Sequence, residues 1–264
     1  ARHQNGDGGD EAFGGYAKYR AVAQGSRARF IPKGARMAWS EAAITGAGLG
    51  GAKLSRNLRR ALLPETLSLF TTEFFAECHR SRIATRELRA ADESLARLAR
   101  DFWQDEMEPM DRMLRWDQTH YLADDLLVKM DIASMARSLE VRSPFLDHEL
   151  LELCADLPPE WKASRREGKL LLREIVAKDL PPELAAAPKR GFSAPLETWF
   201  RKEAGADLQN GLLPVHPALR PFIRAEGVQE LLREHGSGRA NHAQRLWALW
   251  VLNEWTRMFF DHFS

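Results

Sequence analysis

Apolar side chains recur at helical spacing along most of this chain. Residues three or four apart share one face of a helix, so this spacing predicts amphipathic helices rather than strands. We predict helices over residues 13–23, 53–63, 66–79, 86–106, 118–136, 147–156, 168–179, 195–204, 225–235 and 241–262. Stretches that alternate between apolar and polar residues, which would predict strands, are nearly absent. The pattern therefore predicts a mainly α structure.

Local signals mark the ends of several predicted helices. Asp147 precedes an apolar helical run and is expected to cap it, while Ser193 and Pro195 stand at the start of another. The stretch 25–51 is rich in small residues and has no period, so we predict an irregular insertion or loop there. The last predicted helix has a broad apolar face. Packing in the chain's own core is the first explanation for that face, and a partner interface is the alternative.

A run of glycines and carboxylates, Asn5-Gly6-Asp7-Gly8-Gly9-Asp10-Glu11, precedes the first predicted helix. Glycine lets a ligand approach the main chain, and the helix that Asp10 is expected to cap offers free N–H groups to an anion. Carboxylates repel an anion unless a cation lies between them, so the run predicts Mg²⁺ joining Asp7 or Asp10 to a polyphosphate. The alternative is a glycine-rich surface turn before a capped helix.

Two other ligand-binding motifs do not fit the sequence. A calcium loop started at Asn5 would need glycine at Asp10 and glutamate at Tyr16. The run Gly46-Ala47-Gly48-Leu49-Gly50-Gly51 matches a dinucleotide fingerprint in form, but no buried strand precedes it. Both motifs are therefore rejected.

Composition restricts the classes of partner. The chain has 264 residues and a formal net charge of +1, from 38 Lys and Arg against 37 Asp and Glu. This balance provides no general attraction for nucleic acid or for an anionic membrane, and no segment is long enough to span a bilayer. Cys78 and Cys154 lie in apolar stretches and are interpreted as core residues rather than a disulfide or metal ligands. We expect a cytoplasmic protein without nucleic-acid or membrane partners.

Three stretches together resemble the asparagine synthetase family, the glutamine-dependent ATP amidoligases. The first is the glycine and carboxylate run continued through Ala12-Phe13-Gly14-Gly15-Tyr16. The second covers residues 121–147 and ends in Leu139-Glu140-Val141-Arg142-Ser143-Pro144-Phe145-Leu146-Asp147. The third joins Lys169-Leu170-Leu171-Leu172-Arg173 to Pro188-Lys189-Arg190-Gly191-Phe192-Ser193-Ala194-Pro195.

The resemblance implies a fold and a reaction. The fold would be the helical C-terminal portion of an α/β PP-loop ATP pyrophosphatase domain of the adenine nucleotide alpha-hydrolase-like type, with residues 1–264 as a single, N-terminally truncated asparagine synthetase domain. The reaction would consume ATP to convert a carboxylate, most simply that of aspartate, into an acyl adenylate. Ammonia derived from glutamine would then attack this intermediate and form an amide.

The same resemblance implies roles for individual residues. Asp7 would lie beside the adenylated substrate as a base or an orienting group, and Asp10 would hold pyrophosphate and Mg²⁺ with Asp7. Gly6, Gly8 and Gly9 would line the nucleotide site. Lys189 would neutralise charge on the reacting phosphates, whereas its neighbours alone would predict an exposed basic loop. These glycines, Asp7, Asp10 and Lys189 are the candidate catalytic, ATP-binding and metal-binding residues.

Charged residues in the second stretch call for a separate interpretation. Asp131, Glu140 and Arg142 alternate with apolar side chains, which predicts charges in a largely buried setting. Buried charges normally pair. We therefore expect Glu140 or Asp131 to pair with Arg142 or Lys129 in a scaffold role, with direct substrate contact as the alternative.

The sequence also departs from the family pattern. It shows no amino-terminal cysteine and no Ser-Gly-Gly-x-Asp-Ser phosphate loop, and the apolar strand expected before the glycine run is replaced by Ala1-Arg2-His3-Gln4. We expect that a sheet to position Asp7 cannot form from this chain alone, that these residues alone do not amidate, and that a glutaminase and PP-loop portion completes the enzyme. One alternative is a non-catalytic remnant or a subunit that needs a separate chain. Another is a related amidotransferase acting on a sugar, a peptide or a lactam precursor.

Overall fold

A computed structural model of the chain describes residues 2–20, 31–32, 34–35, 38–39, 75, 77–89, 97, 102, 107–164, 166–181, 194–202 and 204–261. Two strands lie within these residues, β1 (Arg2–Gln4) and β2 (Glu140–Arg142). The α-helices, in chain order, are α1 (Gly9–Phe13), α2 (Glu77–Ile83), α3 (Pro109–Trp116), α4 (Leu127–Met135), α5 (His148–Asp156), α6 (Pro159–Lys162), α7 (Leu170–Val176), α8 (Leu196–Arg201), α9 (Gly205–Leu212), α10 (Ala225–Gly236) and α11 (Ala243–Phe260). The mainly α prediction is confirmed.

Two compact units divide the chain. The first unit comprises Ala1–Thr71 and Leu98–Lys189, and the second comprises Thr72–Arg97 and Arg190–Ser264. Each unit is therefore built from two separate stretches of sequence. The assignment of residues 1–264 to one domain stays a prediction.

The first unit contains the sheet. β1 and β2 pair in parallel, with Arg2 opposite Glu140, His3 opposite Val141 and Gln4 opposite Arg142. The expectations that residues 1–4 replace a strand and that no sheet forms from this chain are therefore wrong. Main-chain hydrogen bonds hold this short pair, so the polar side chains of residues 2–4 do not prevent it.

A long helical segment crosses the first unit. It begins with α3, passes through a wider π-helical segment (Asp117–Leu126) and ends with α4 at Met135. The predicted helix over 118–136 therefore began nine residues too late. Met110, Met113, Leu114 and Trp116 are buried with Tyr19 in one core cluster of this unit.

The predicted helix over 13–23 was wrong at its start. α1 ends at Phe13 because Gly14 takes a left-handed conformation with φ 68°, and its N–H bonds to the carbonyl of Asp10. Glycine accepts this conformation without the cost that a side chain would impose. A new helical stretch begins only at Ala17 and is described as far as Arg20.

The second unit has an apolar core between its helices. Phe200, Leu208, Leu212, Val228, Leu231 and Leu246 are among its fully buried members. α11 buries Leu246 and Leu249 here but exposes Trp247 and Trp255 on its other side. Core packing therefore accounts for one stripe of the apolar tail helix. Across the described residues no helix combines the length and the apolar character needed to cross a membrane.

Several predicted elements agree with the structure, and others lie outside it. The helices predicted over 147–156, 168–179, 195–204, 225–235 and 241–262 correspond to α5, α7, α8, α10 and α11. The predicted helices over 53–63 and most of 66–79 lie outside the described residues, as does most of the loop 25–51. Cys154 is a buried free thiol, as predicted, whereas the side chain of Cys78 is not described.

Candidate active site

The glycine and carboxylate run begins at the carboxyl end of β1. The N–H of Asn5 donates to the carbonyl of Arg142 at 3.0 Å, which extends the parallel pairing by one step. Ser143, the residue after β2, donates through its hydroxyl to the side-chain carbonyl of Asn5. The run and the end of β2 therefore meet at one edge of the sheet, the edge at which parallel sheets bind ligands.

Asp7 is held by its own loop. The side-chain amide of Asn5 donates to Asp7 Oδ2 at 2.6 Å, and the N–H of Asp7 donates to Asn5 Oδ1 at 3.3 Å. These two bonds form a local turn that fixes the carboxylate relative to the strand end. Asp7 is half-buried, so one side of it is open to solvent. Asn5 thus orients the candidate catalytic carboxylate.

Asp10 lies inside α1 rather than at its cap. Gly8 is the N-cap, with φ 88°, and Asp10 is the second helical residue, so the prediction that Asp10 caps this helix is wrong. Asp10 Oδ1 lies 3.2 Å from the ammonium of Lys169, and both side chains are mostly buried. Opposite charges at this distance attract each other and hold Asp10 in place.

Lys169 was missed as a site residue. It has a positive φ of 58°, an uncommon conformation for a residue with a side chain, and its N–H donates to the carbonyl of Phe13 at 3.0 Å. Such a conformation costs roughly 1–3 kcal/mol and persists only where the surroundings hold the residue in it. Lys169 opens a stretch that resembles the family, but no local pattern joined it to Asp10.

The three glycines of the run have different surroundings. A Cβ on Gly8 would clash with Leu146, and one on Gly9 would press on the ring of Phe145. A Cβ on Gly6 would meet nothing within 4 Å. Gly8 and Gly9 therefore allow close packing against the segment after β2, and only Gly6 has open space in which a ligand could approach the main chain.

A buried polar cluster lies behind the run. The hydroxyl of Tyr16 donates to Glu11 Oε1 at 2.7 Å, and Glu11 is 1% exposed. Burial raises the pKa of Glu11, and the bond from Tyr16 opposes that rise in part. Lys18 forms an ion pair with Asp117 at 2.7 Å, with both side chains buried.

Aromatic rings complete this cluster. The ammonium of Lys18 lies 5.0–5.7 Å from the ring centroids of Tyr16, Tyr19 and Tyr121. Burial raises the pKa of Asp117, and the charge of Lys18 opposes that rise. Cation–π contacts and the ion pair together compensate Lys18 for its lost hydration. No local pattern in the sequence predicted this cluster, because its members lie far apart in the chain, with Lys18 and Asp117 separated by 99 residues.

The remaining predicted residues are Lys189 and the charged residues of the second stretch. Lys189 lies outside the described residues, together with Gly191 and Ser193, so its role stays a prediction. Arg142 and Glu140 form the predicted ion pair at 2.7 Å, but their side chains are 68% and 44% exposed. Asp131 and Lys129 are exposed as well. The buried setting predicted for these charges is therefore wrong, while the pairing itself is confirmed.

The carboxylates can be tested for their fit to a metal ion. Among the described side chains, no three from His, Cys, Asp and Glu form a metal-binding group. Mg²⁺ at a nucleotide site, however, is normally held by one or two carboxylates together with phosphates and water. Asp7 and Asp10, three positions apart at the sheet edge, provide such a pair of donors. The residues present are thus compatible with Mg²⁺ that arrives with a polyphosphate.

Comparison with known proteins identifies the family of the chain. The sequence model of the Asparagine synthase family matches residues 2–257, so the chain belongs to that family. The match covers both strands, the glycine and carboxylate run and the named helices of both units as far as residue 257. No solved structure matches the chain.

Individual relatives show the same similarity. The chain is 29% identical to a putative glutamine-hydrolyzing asparagine synthetase of Mycobacterium tuberculosis, over 98% of this chain and 39% of that protein. It is 26% identical to glutamine-hydrolyzing asparagine synthetase 1 of Bacillus subtilis, over 95% of this chain and 39% of that protein. The human glutamine-hydrolyzing asparagine synthetase is 34% identical over 36% of this chain and 17% of its own length. The chain thus spans about two fifths of the two bacterial relatives.

Proposed function

We propose that this chain is the synthetase portion of an ATP-dependent amidoligase. It would activate a carboxylate, most simply that of aspartate, as an acyl adenylate that glutamine-derived ammonia converts to an amide. One observation carries the proposal: in a chain matched by the Asparagine synthase family over residues 2–257, Asp7 and Asp10 follow the carboxyl end of a parallel strand. That is the position at which α/β proteins bind nucleotides and their substrates.

Each candidate residue has a distinct electrostatic task in this proposal. Asp7, fixed by Asn5, would orient the reacting carboxylate or accept a proton. Asp10 would hold Mg²⁺ with Asp7, and the ion neutralises phosphate charge when it is bound. Lys169 restrains Asp10 through its ion pair, which keeps the carboxylate in one place before a ligand arrives. Open space at Gly6 would admit the phosphates, and Lys189 would stabilise the charge that develops on them.

We also propose that a glutaminase and PP-loop portion works with this chain in the complete enzyme. Support comes from the two bacterial relatives, in which the matched portion is only 39% of the length. Their names include glutamine hydrolysis, a reaction for which the sequence of this chain shows no candidate nucleophile paired with a histidine. Inactivity of these 264 residues alone stays a prediction of the same hypothesis.

The test measures pyrophosphate release by the intact enzyme with ATP, Mg²⁺, aspartate and ammonia. Asp7→Asn and Asp10→Asn are expected to lower kcat/KM about 100-fold or more, because each removes a fixed charge from the reacting centre. Asp156→Asn is the matched control, since Asp156 is an exposed carboxylate at the end of α5. Lys189→Gln should have a similar effect, with the exposed Lys178→Gln as its control.

The alternatives predict other results. A non-catalytic remnant would release no pyrophosphate, and Asp7→Ala and Lys189→Ala would alter only stability. A related amidotransferase would release pyrophosphate with a sugar, peptide or lactam precursor rather than with aspartate. Wild-type activity in both Asp7→Asn and Asp10→Asn would reject the proposed site.

A further inference from the structure

The outward side of helix α11 carries an apolar stripe. The opposite side packs in the core, where Leu246 and Leu249 are buried. Six apolar residues recur on the outward side at spacings of three and four, and each is between 38% and 62% exposed: Trp247, Val251, Leu252, Trp255, Met258 and Phe259. We call these six residues the α11 stripe. Arg245 precedes the stripe in the chain, and Glu254 and Arg257 lie on another side of the helix.

Neighbouring rings hold the aromatic side chains of the stripe. Trp247 stacks on Phe200 with the ring centroids 6.3 Å apart, and the rings of Trp255 and Phe259 are 5.2 Å apart. Side chains that are already held lose little freedom when a partner binds. Tryptophan is also enriched among the residues that dominate binding energy at interfaces. The stripe therefore has the side chains of an interface and holds them in place before any contact forms.

The charges beside the stripe neutralise each other. Arg257 donates to Glu254 Oε1 at 2.6 Å. Removing an unpaired charge from water is costly, whereas a hydrogen-bonded pair compensates part of that cost. This pair can therefore border an apolar contact without leaving a lone charge next to it.

The exposed area of the stripe is sufficient for a contact between two copies of the chain. The six side chains are about half exposed, so each offers on the order of 100 Å² of apolar surface. One copy then offers roughly 600 Å², and two copies would bury roughly 1,200 Å². Specific interfaces bury at least about 1,000 Å² in total. The stripe alone therefore reaches the lower end of that range.

We propose that the α11 stripe binds the same stripe of a second copy, with the two α11 helices antiparallel. The two-fold axis passes at the level of Asn253. Such a contact is isologous, because both copies contribute the same surface, and it closes at two chains. This surface is separate from the proposed amidation and does not depend on it.

The order of large and small residues along α11 favours the antiparallel arrangement. About the level of residue 253, the residues that lie side by side are Trp247 with the partner's Phe259, Ala248 with the partner's Met258, and Val251 with the partner's Trp255. Two of these pairs set a small side chain against a large one, which allows close packing. In a parallel pair each residue would instead lie beside its own copy, with large against large and small against small. The antiparallel pair therefore fills the contact better.

Sedimentation equilibrium of the 264-residue chain, from about 1 to 100 μM, tests the dimer, since an interface of this size gives an affinity in the micromolar range. Val251→Lys should weaken dimerisation about 100-fold or more, because the symmetric contact buries the new charge twice. Asn210→Lys adds the same charge at an exposed position of α9 and should leave the dimer unchanged. Val251 is 47% exposed, so the Tm of its variant should stay close to that of the wild-type monomer. Met258→Lys, at a position that is 62% exposed, should repeat the effect.

A spin label on Gln244→Cys tests the orientation of the helices. Gln244 lies nine residues before the two-fold axis, so the labels of the two copies should be about 30 Å apart in the antiparallel dimer. A parallel dimer would bring them to about 10 Å. The chain with only its native cysteines, treated with the same reagent, is the control for labelling at Cys78 or Cys154.

Association through another apolar surface is distinguished by a variant in the first unit. Ile132 is 65% exposed on α4, and Ile132→Lys should keep both the dimer and the distance of about 30 Å between the labels. Loss of the dimer in Ile132→Lys would assign the contact to α4 and would reject the α11 stripe.

Three other results would overturn the proposal. They are a chain that stays monomeric at 100 μM, full dimerisation of folded Val251→Lys and Met258→Lys, and a label distance of about 10 Å. A monomeric chain would leave the stripe for a different occupant, such as the portion of the longer relatives that this chain does not match, and would reject a second copy.

Discussion

Gly6 and Gly8 are two positions apart in one loop, but a methyl group would affect them differently. Gly8 has φ 88° and a Cβ there would clash with Leu146, whereas Gly6 has open space. We expect Gly8→Ala to lower the free energy of unfolding by about 1–3 kcal/mol, through backbone strain and this clash. Gly6→Ala should change it by less than about 1 kcal/mol in either direction. Urea unfolding measures both, and equal losses would contradict the described loop.

The buried ion pair between Lys18 and Asp117 should contribute more to the free energy of unfolding than an ion pair that water reaches. Asp117→Asn leaves the ammonium of Lys18 buried without its counter-charge, so we expect a loss of about 3–5 kcal/mol in the free energy of unfolding. The half-buried pair of Glu254 and Arg257 is the control, and Arg257→Met should cost less than about 1 kcal/mol, because water still reaches both charges. A small loss in Asp117→Asn would show that water reaches Lys18.

Sequence reasoning selected some of the candidate site residues and missed other residues of the same region for a physical reason. Asp7 and Asp10 were predictable because their neighbours in the chain, glycines and other carboxylates, define the chemistry locally. Lys169 and Asp117 lie beside their partners only in the folded chain. Asp117 is 99 residues from Lys18 in the sequence, and Lys169 is further still from Asp10. No short pattern carries that information.

At the scale of elements, helix α10 and the start of α11 carry a pH-sensitive group of side chains. Burial lowers the pKa of both His235 and His242, although Glu234 at 2.7 Å partly offsets this for His242. A lowered histidine pKa means that the unfolded chain binds the proton more readily. We therefore expect the second unit to lose stability as the pH falls below about 6.5 and through the folded pKa values of the two histidines.

A second loss of stability of this unit is expected at lower pH. Hydrogen bonds from Arg82 lower the pKa of Glu234 from 4.5 to about 2, so its contribution is present above pH 4.5 and is lost toward pH 2. Amide exchange in α10, measured from pH 7 to pH 5, reports the loss of stability that His235 and His242 cause, because Glu234 contributes its loss only below pH 4.5. His242→Gln should flatten this dependence, while the exposed His148→Gln should not. The protection factors of α10, which are the exchange rates corrected for the intrinsic pH dependence of amide exchange, should fall in the wild type, and protection factors that stay constant from pH 7 to pH 5 would contradict the buried histidines.

Helix ends were predictable where a side chain sets them. Asp147 accepts hydrogen bonds from the N–H groups of Glu149 and Leu150, and the predicted helix over 147–156 agrees closely with α5. The strand β1 was missed because its stability depends on pairing with β2, which lies more than 130 residues further along the chain. The π-helical segment was missed because apolar spacing does not report a change of helical pitch.

At the scale of the whole molecule, apolar side chains remain exposed on α4. Val128, Ile132 and Met135 are 47%, 65% and 56% exposed and recur at helical spacing. We expect Ile132→Lys to change the free energy of unfolding by less than about 0.5 kcal/mol, because no core contact is lost. Leu231→Ala, at a fully buried position, should cost about 2–5 kcal/mol.

Sedimentation velocity should show whether the exposed apolar side chains of α4 promote self-association. The wild-type chain is expected to associate as its concentration rises, and Ile132→Lys should reduce that association. Identical sedimentation of the two proteins would show that the face is not used. The division into two units was not predicted, because each unit is defined by contacts between stretches that are far apart in the chain.

The contact between the glycine run and the segment after β2 has an evolutionary consequence. Gly8 and Gly9 leave room for Leu146 and Phe145, so each segment sets the size of residue that the other can accept. A larger residue at position 8 or 9 would require a smaller one at 145 or 146. Lineages of this family should therefore change these two segments together, although more than 130 residues separate them.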